Sequence, residues 1–187
     1  LIEKFSLKNV GKSAGVFNSE KLLDLNAWYI RQASDEFLAT ELIPFLGRLG
    51  FKGLDETLVR KAVRTLKMRS KTLQEMAEGA RFYFEKHIIY EKKGDDKFLK
   101  KDTLEFLEAL RIRLEKTPDF SQAVLEQAFI LFLEENQIKM KKIAQPLRIA
   151  LTGKTASPGI FEIMEVLGKE KVLERLAKGI THIRAKG

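Results

Sequence analysis

Apolar residues recur every three to four positions from one end of this 187-residue chain to the other. Nowhere do they alternate as a half-buried strand requires. That period predicts an all-α protein with short connections. The helix starts are well marked. Asn18-Ser19 precedes Glu20-Lys21-Leu22-Leu23, with Leu25, Trp28 and Tyr29 beyond. Ser34-Asp35-Glu36 opens a segment reaching Gly47 or Gly50, which Pro44 is expected to bend or end. Asp55-Glu56 caps a helix to about Arg69, and Thr72-Leu73-Gln74-Glu75 has capping-box spacing, so a new helix begins there.

Lys92-Lys93-Gly94-Asp95-Asp96 reads as the boundary between two lobes, 1–92 and 93–187. Beyond it, 97–116 reads as one long helix and Thr117-Pro118-Asp119 as a turn. Helices are expected over about 121–135 and 139–151. Ser157 suits an N-cap with Pro158 at the first helical position. That helix should stop near Gly168, and a last one should cover 169–178.

Composition excludes several functions. Cysteine is absent, which rules out disulfides, thiolate metal sites and cysteine nucleophiles and fits a cytoplasmic protein. The two histidines, His87 and His182, are too distant in sequence to suggest a metal site or triad. No stretch is long and uncharged enough to span a membrane, and Leu1-Ile2-Glu3-Lys4-Phe5 lacks the form of a signal peptide. With no initiator Met, the sequence is expected to begin inside a longer protein. Glu134-Glu135 and Asp95-Asp96 lack catalytic partners, and Gly11-Lys12-Ser13 lacks the context of a phosphate-cradling loop. No catalytic residue, metal site or cofactor site is expected within the chain.

The net charge of +8 favours a polyanionic partner, and its distribution strengthens that reading. Residues 57–74 carry six basic residues and no acid; 136–155 carry five and no acid. On the first of these, Val59, Ala62, Val63 and Leu66 share one helical face. Arg60, Arg64, Lys67 and Lys71 share another, at a spacing that can follow a phosphate backbone or form an ordinary solvated face. Arg69 projects away from that row, just before the expected break, where a guanidinium can make a fixed bidentate contact with a base edge or cap the helix end. In the second segment Lys139, Lys141, Lys142 and Arg148 surround Ile143, Leu147 and Leu151. The turn 152–158 offers hydroxyls and backbone amides of the kind that read splayed single-stranded bases, or simply connects two helices. Phe82, Tyr83, Phe84, Phe129 and Phe132 are expected in the core, and Trp28 and Tyr29 are expected to pack likewise.

Three segments together resemble glutamyl-tRNA synthetase, a class I aminoacyl-tRNA synthetase of bacterial type, in its C-terminal stem-contact and anticodon-binding region. The first is Phe5-Ser6-Leu7-Lys8-Asn9-Val10-Gly11-Lys12-Ser13 with Val16-Phe17-Asn18, Lys21-Leu22, Leu25-Asn26 and Tyr29-Ile30-Arg31. The second is Arg69-Ser70-Lys71-Thr72-Leu73. The third runs Ala144-Gln145-Pro146-Leu147-Arg148, Leu151-Thr152-Gly153, Ser157-Pro158-Gly159, Phe161-Glu162 and Leu167-Gly168-Lys169-Glu170. Lys67-Met68-Arg69-Ser70-Lys71 is not that family's catalytic Lys-Met-Ser-Lys-Ser loop, because the residue order differs and the segment lies at a helix end.

The resemblance implies an all-α, two-lobed helical bundle or cage: 1–92 contacting the inner side of a tRNA stem, 93–187 holding the anticodon. It places Arg69 where the third anticodon base is sensed, in the form that accepts cytosine and rejects guanine. It places Arg148 at the anticodon, and Ser157, Pro158 and Ile160 at the base-contacting turn and helix start. The partner implied is tRNA(Glu), bound by a cytoplasmic monomer, with neither membrane nor DNA involved. ATP and Mg would belong to the parent ligase's catalytic domain, whose ATP motif is missing here, so the chain alone should not activate glutamate. The residues alone leave open a general basic helical module that binds RNA or DNA through phosphates, and a protein–protein scaffold with incidental charge.

Overall fold

The computed structural model describes residues 17–186, and the Phe5–Ser13 and Val16 part of the first resembling segment lies outside them. Ten helices account for the regular structure of the described residues: α1 (Ser19–Gln32), α2 (Asp35–Arg48), α3 (Glu56–Leu66), α4 (Leu73–Phe84), α5 (Lys92–Phe98), α6 (Lys101–Lys116), α7 (Gln122–Glu135), α8 (Met140–Thr152), α9 (Ile160–Leu167) and α10 (Lys169–Ala185). None is long and apolar enough to cross a membrane.

Most starts form where the capping residues stand. Asn18 accepts from the Lys21 amide at 3.0 Å, Ser34 from Phe37 at 3.1 Å and Asp55 from Thr57 at 2.9 Å. The Thr72 hydroxyl accepts from the Glu75 amide at 3.0 Å, while the Glu75 carboxylate accepts from the Lys71 amide at 2.7 Å. This double bond pins the start of α4 to the residues that follow α3.

Packing of α2 against both α3 and α4, and of α3 against α4, builds the first half. In the second, α10 lies along α6 and touches α8 and α9, and α7 packs on α6 and α9. Contacts of α3 with α9 and of α4 with α8 join the halves. One buried apolar cluster runs through both, from Ile30, Leu42 and Val63 to Leu110, Leu147, Leu176 and Ile183. The apolar face expected of α3 is buried in full: Val59, Ala62, Val63 and Leu66. Phe82, Tyr83, Phe129 and Phe132 are buried, and Phe84 packs against the same core.

Several expectations are corrected. Pro44 neither ends α2 nor is avoided by it, and the helix continues to Arg48. Burial of Leu42 on one side of the proline and Leu46 on the other holds the segment helical despite the missing amide. α3 ends at Leu66 rather than Arg69, because the Arg69 and Ser70 amides both turn back to the Leu66 carbonyl. The 92–96 stretch, expected to join two lobes, is the first part of helix α5. Gly94 is buried there, and a Cβ on it would stand 2.6 Å from Ile149 Cδ1 of α8, so the glycine permits a close helix crossing. The chain breaks instead at Leu99-Lys100, which divides the expected 97–116 helix. α10 runs to Ala185, seven residues past its expected end, with Gly179 buried against Ala150 of α8. Trp28 and Tyr29 do not pack inward: they are 53% and 60% exposed, edge to face on the outside of α1. The inward positions of that helix are taken by Ala27 and Ile30.

Candidate nucleic-acid interface

Arg69 and Arg148, far apart in sequence, are neighbours in the fold. Arg69 stands exposed on the turn after α3, and α3 packs on α9, whose entry is the 157–160 turn. Arg148 projects from α8 toward the same turn. Its guanidinium donates to the Pro158 carbonyl at 2.8 Å, to the Ser157 carbonyl at 3.3 Å and to the Ser157 hydroxyl. Burial first, and then the nearby positive charge of Arg69, holds Arg148 below the ordinary arginine value. That second influence places the two cations near enough to repel each other. Neither guanidinium has a carboxylate partner among the described residues.

Ser157 and Pro158 do not open α9, contrary to the expectation. The helix starts at Ile160, with Gly159 before it, and the Glu162 carboxylate accepts from the Gly159 amide at 2.9 Å. The Ser157 hydroxyl is engaged elsewhere: it accepts from Arg148 and donates to the Pro158 carbonyl at 3.0 Å. Competition from a guanidinium for the hydroxyl moved the helix start. Pro158 and Ile160 are buried beside it. The Thr152 hydroxyl steadies the turn from its other end, donating to Arg148 O at 2.8 Å and accepting from the Lys154 amide at 3.1 Å. Gly153 ends α8 with a φ of 75°, and its carbonyl accepts from Glu91 at 2.8 Å.

Arg60, Arg64, Lys67 and Lys71 do form a row, but each meets an acid. Arg60 pairs with Glu36 at 3.4 Å, Arg64 with Asp35 at 3.0 Å and Lys71 with Asp24 at 2.8 Å. Lys67, only 19% exposed at its side chain, is shared by Asp35 at 3.2 Å and the Ala33 carbonyl at 2.6 Å. Hydrogen bonding and charge from Asp24 raise Lys71 above the ordinary lysine value. The row therefore ties α3 and the following turn to α1 and α2. Arg60, Arg64 and Lys71 remain exposed enough to exchange a carboxylate for a phosphate, whereas Lys67 is held inside. In the second half Lys139 and Lys141 are exposed, and Lys142 lies 4.3 Å over the Phe106 ring.

Two residues escaped the sequence reading. Gln145, one turn before Arg148, has its Oε1 buried with no partner among the described residues. Arg175 is buried in α10. The signal for it was present, since it falls on the same helical face as Val172, Leu176 and Gly179, where a cation needs dedicated acceptors. No cluster of three or more metal-ligating side chains occurs among the described residues.

The architecture is thus that of an all-helical module with two arginines beside a structured turn, Arg69 exposed and Arg148 bonded to the turn itself. Residues 37–180 match the family described as the anticodon binding domain, and the chain belongs to that family. It is 45% identical over 184 residues to the glutamate–tRNA ligase of Geotalea uraniireducens and 44% identical over 183 residues to that of Geobacter sulfurreducens. Each match takes in 98% of this chain and 39% of the relative, so the chain spans about two-fifths of the length of these ligases. Among solved structures, a glutamate tRNA ligase from Elizabethkingia meningosepticum superposes on 97% of the chain with a TM-score of 0.87, using 36% of its own length. The glutamate-tRNA synthetase of Elizabethkingia anophelis gives 0.82 over 96% of the chain and 35% of its own. At 23% identity, these two likenesses concern the fold.

Proposed function

We propose that the chain is the tRNA-binding portion of a glutamate–tRNA ligase and reads the anticodon of tRNA(Glu). The observation that carries this reading is that Arg69 lies near Arg148, which is bonded to the 157–160 turn, and neither has a carboxylate partner among the described residues. A guanidinium left unpaired by protein acids is free to make the fixed, forked contact that distinguishes one base edge from another. Arg69, exposed, senses one base. Arg148 holds the 157–160 turn in shape, with Pro158 and Ile160 packed beneath it and Ser157 at its half-exposed rim toward the neighbouring nucleotides. Arg60, Arg64 and Lys71 lie along the stem-facing side, where a phosphate that displaces Glu36, Asp35 or Asp24 would meet them. Attachment of glutamate, with its ATP and Mg, is the work of the remainder of the parent ligase. This chain acts as a monomeric RNA-binding part of a cytoplasmic enzyme and does not activate the amino acid itself.

Binding of the purified chain to glutamate tRNA transcripts, changed singly at each anticodon position, tests the assignment. The cognate transcript should bind best. Arg69→Ala should weaken it by about 1–3 kcal/mol and remove discrimination at one base while sparing the other two. An equal loss for all anticodon variants would reject the role given to Arg69. Equal affinity of the unaltered chain for all tRNAs would leave only a basic module that grips phosphates.

A further inference from the structure

Arg175 is the one charged residue among the described residues that is fully buried, at 3% exposure. Its guanidinium makes no hydrogen bond to a carboxylate among the described residues. It donates instead to three main-chain carbonyls: Phe82 at 2.6 Å, Glu85 at 3.0 Å and Leu151 at 2.6 Å. Phe82 and Glu85 lie at the C-terminal end of α4, and Leu151 lies in the last turn of α8. One helical turn earlier on α10, Lys171 donates to the Tyr83 carbonyl at 2.7 Å. Carbonyls at helix ends have no partner within their own helix and carry the negative end of its dipole, so a buried cation is tolerated there with no carboxylate bonded to it, the charges of Glu85 and Glu174 helping from farther off. α10 is in effect a bracket that grips two helix ends.

One of those helices carries a sensing arginine and the other begins beside the second. α4 starts immediately after the turn that bears Arg69, and α8 bears Arg148. We propose that Arg175 is a positioning residue for anticodon discrimination: by clamping the C-terminal ends of α4 and α8 together, it sets the separation of Arg69 and Arg148. The proposal rests on the reading of that pair given above. Leverage makes the effect large. α4 has 12 residues and is about 18 Å long, so a tilt of about 10° at the clamp displaces its far end by about 3 Å. A displacement of that size turns a hydrogen bond into none. Three diverging carbonyls also suit the planar five-donor fork of arginine and not the single ammonium of lysine.

The test uses the full chain and two readouts. The chain has no cysteine, so Met68→Cys beside Arg69 and Ala156→Cys beside Ser157, both at exposed positions, can carry the only two spin labels. Arg175→Lys in that background should shift or broaden the distance distribution while helical circular dichroism and cooperative melting persist. The same substitution in the unlabelled chain should lower the ratio of cognate to third-base-variant binding by about fivefold or more. It should add little to that ratio in an Arg69→Ala background, because the two act through one contact. General destabilisation would lower cognate and variant binding by a common factor and leave the ratio intact. Lys171→Met, which removes only the Tyr83 contact, gives a milder variant should Arg175→Lys not fold, with the same changes at smaller size. An unaltered distance distribution, or an altered one with an unaltered ratio, overturns the proposal. If the parent chain shows no anticodon preference, the functional reading fails instead, and the spin-label distances still decide whether Arg175 sets the spacing.

Discussion

The Ser157 hydroxyl serves Arg148 and not the helix that follows it. Its removal is therefore a test of the site more than of the helix. Ser157→Ala leaves Arg148 the carbonyls of Ser157 and Pro158 and should cost about 0.5–1.5 kcal/mol in denaturant unfolding, with Ser157→Thr restoring most of it. A loss several times larger would mean that the hydroxyl also caps α9 in solution. Gly153 is more exacting. At a φ of 75°, a side chain is strained, and its Cβ would overlap the Ile89 carbonyl oxygen, which is backbone and cannot swing aside. Gly153→Ala should destabilise by about 2 kcal/mol or more, lowering the thermal midpoint by roughly 4–8 °C for a chain of this size. A thermal scan that finds no change would show the turn to be pliable. At this scale the sequence was legible where a residue acts through its neighbours in the chain: Asn18, Ser34, Asp55 and Thr72 cap as read. It was not legible where a partner arrives from far away. Nothing adjacent to Ser157 announces that Arg148 will claim it, and nothing near Arg175 announces the carbonyls of Phe82 and Glu85.

Helix α10 is fastened at its far end to α5. His182 Nε2 lies 2.9 Å from Asp95 Oδ1, Lys186 donates to the same carboxylate, and the Tyr90 ring lies tilted against His182 with ring centres 4.8 Å apart. Burial by itself would push the Asp95 carboxyl upward, but the hydrogen bonds from Lys186 and His182 outweigh it and hold the group below the ordinary aspartate value of 3.8. A carboxylate depressed in the folded state contributes stability that is present above its unfolded value and lost as pH falls through its folded value. Unfolding midpoints should therefore separate the parent chain from Asp95→Asn at neutral pH, and the gap should close as pH falls below about 4. A gap that stays constant to pH 3 would assign the stability to packing alone. Element existence followed from periodicity and caps, which is why α1 to α4 and α6 to α10 were legible. α5 was hidden because Lys92-Lys93-Gly94-Asp95-Asp96 has the composition of a turn. Only the approach of Ile149 to Gly94 and the capture of Asp95 by α10 make it a helix. The same tertiary contacts extend α10 beyond Lys178.

Taken as a whole, the molecule carries a net charge of +8, yet its cations are not equally available to RNA. Arg60, Arg64, Lys67 and Lys71 each already face a carboxylate, of Glu36, Asp35 or Asp24, with Asp35 shared by Arg64 and Lys67. Lys139 and Lys141 are exposed, with no acid partner among the described residues. Binding that releases counterions depends on salt in proportion to the phosphates neutralised, so the slope of affinity against salt counts the cations in use. Each of Lys139→Gln and Lys141→Gln should make that slope shallower by about 0.7–1 if its ammonium meets a phosphate. Arg64→Gln removes a cation whose field Asp35 largely cancels, and should change the slope by less than half as much. It should instead cost up to about 1 kcal/mol of stability, the usual worth of an exposed pair. Titrations of tRNA at four or five salt concentrations separate these cases. An Arg64→Gln slope as shallow as that of Lys141→Gln would mean that Asp35 surrenders its partner on binding. The paired row along α3 would then be part of the RNA footprint, held in register by carboxylates until phosphates replace them.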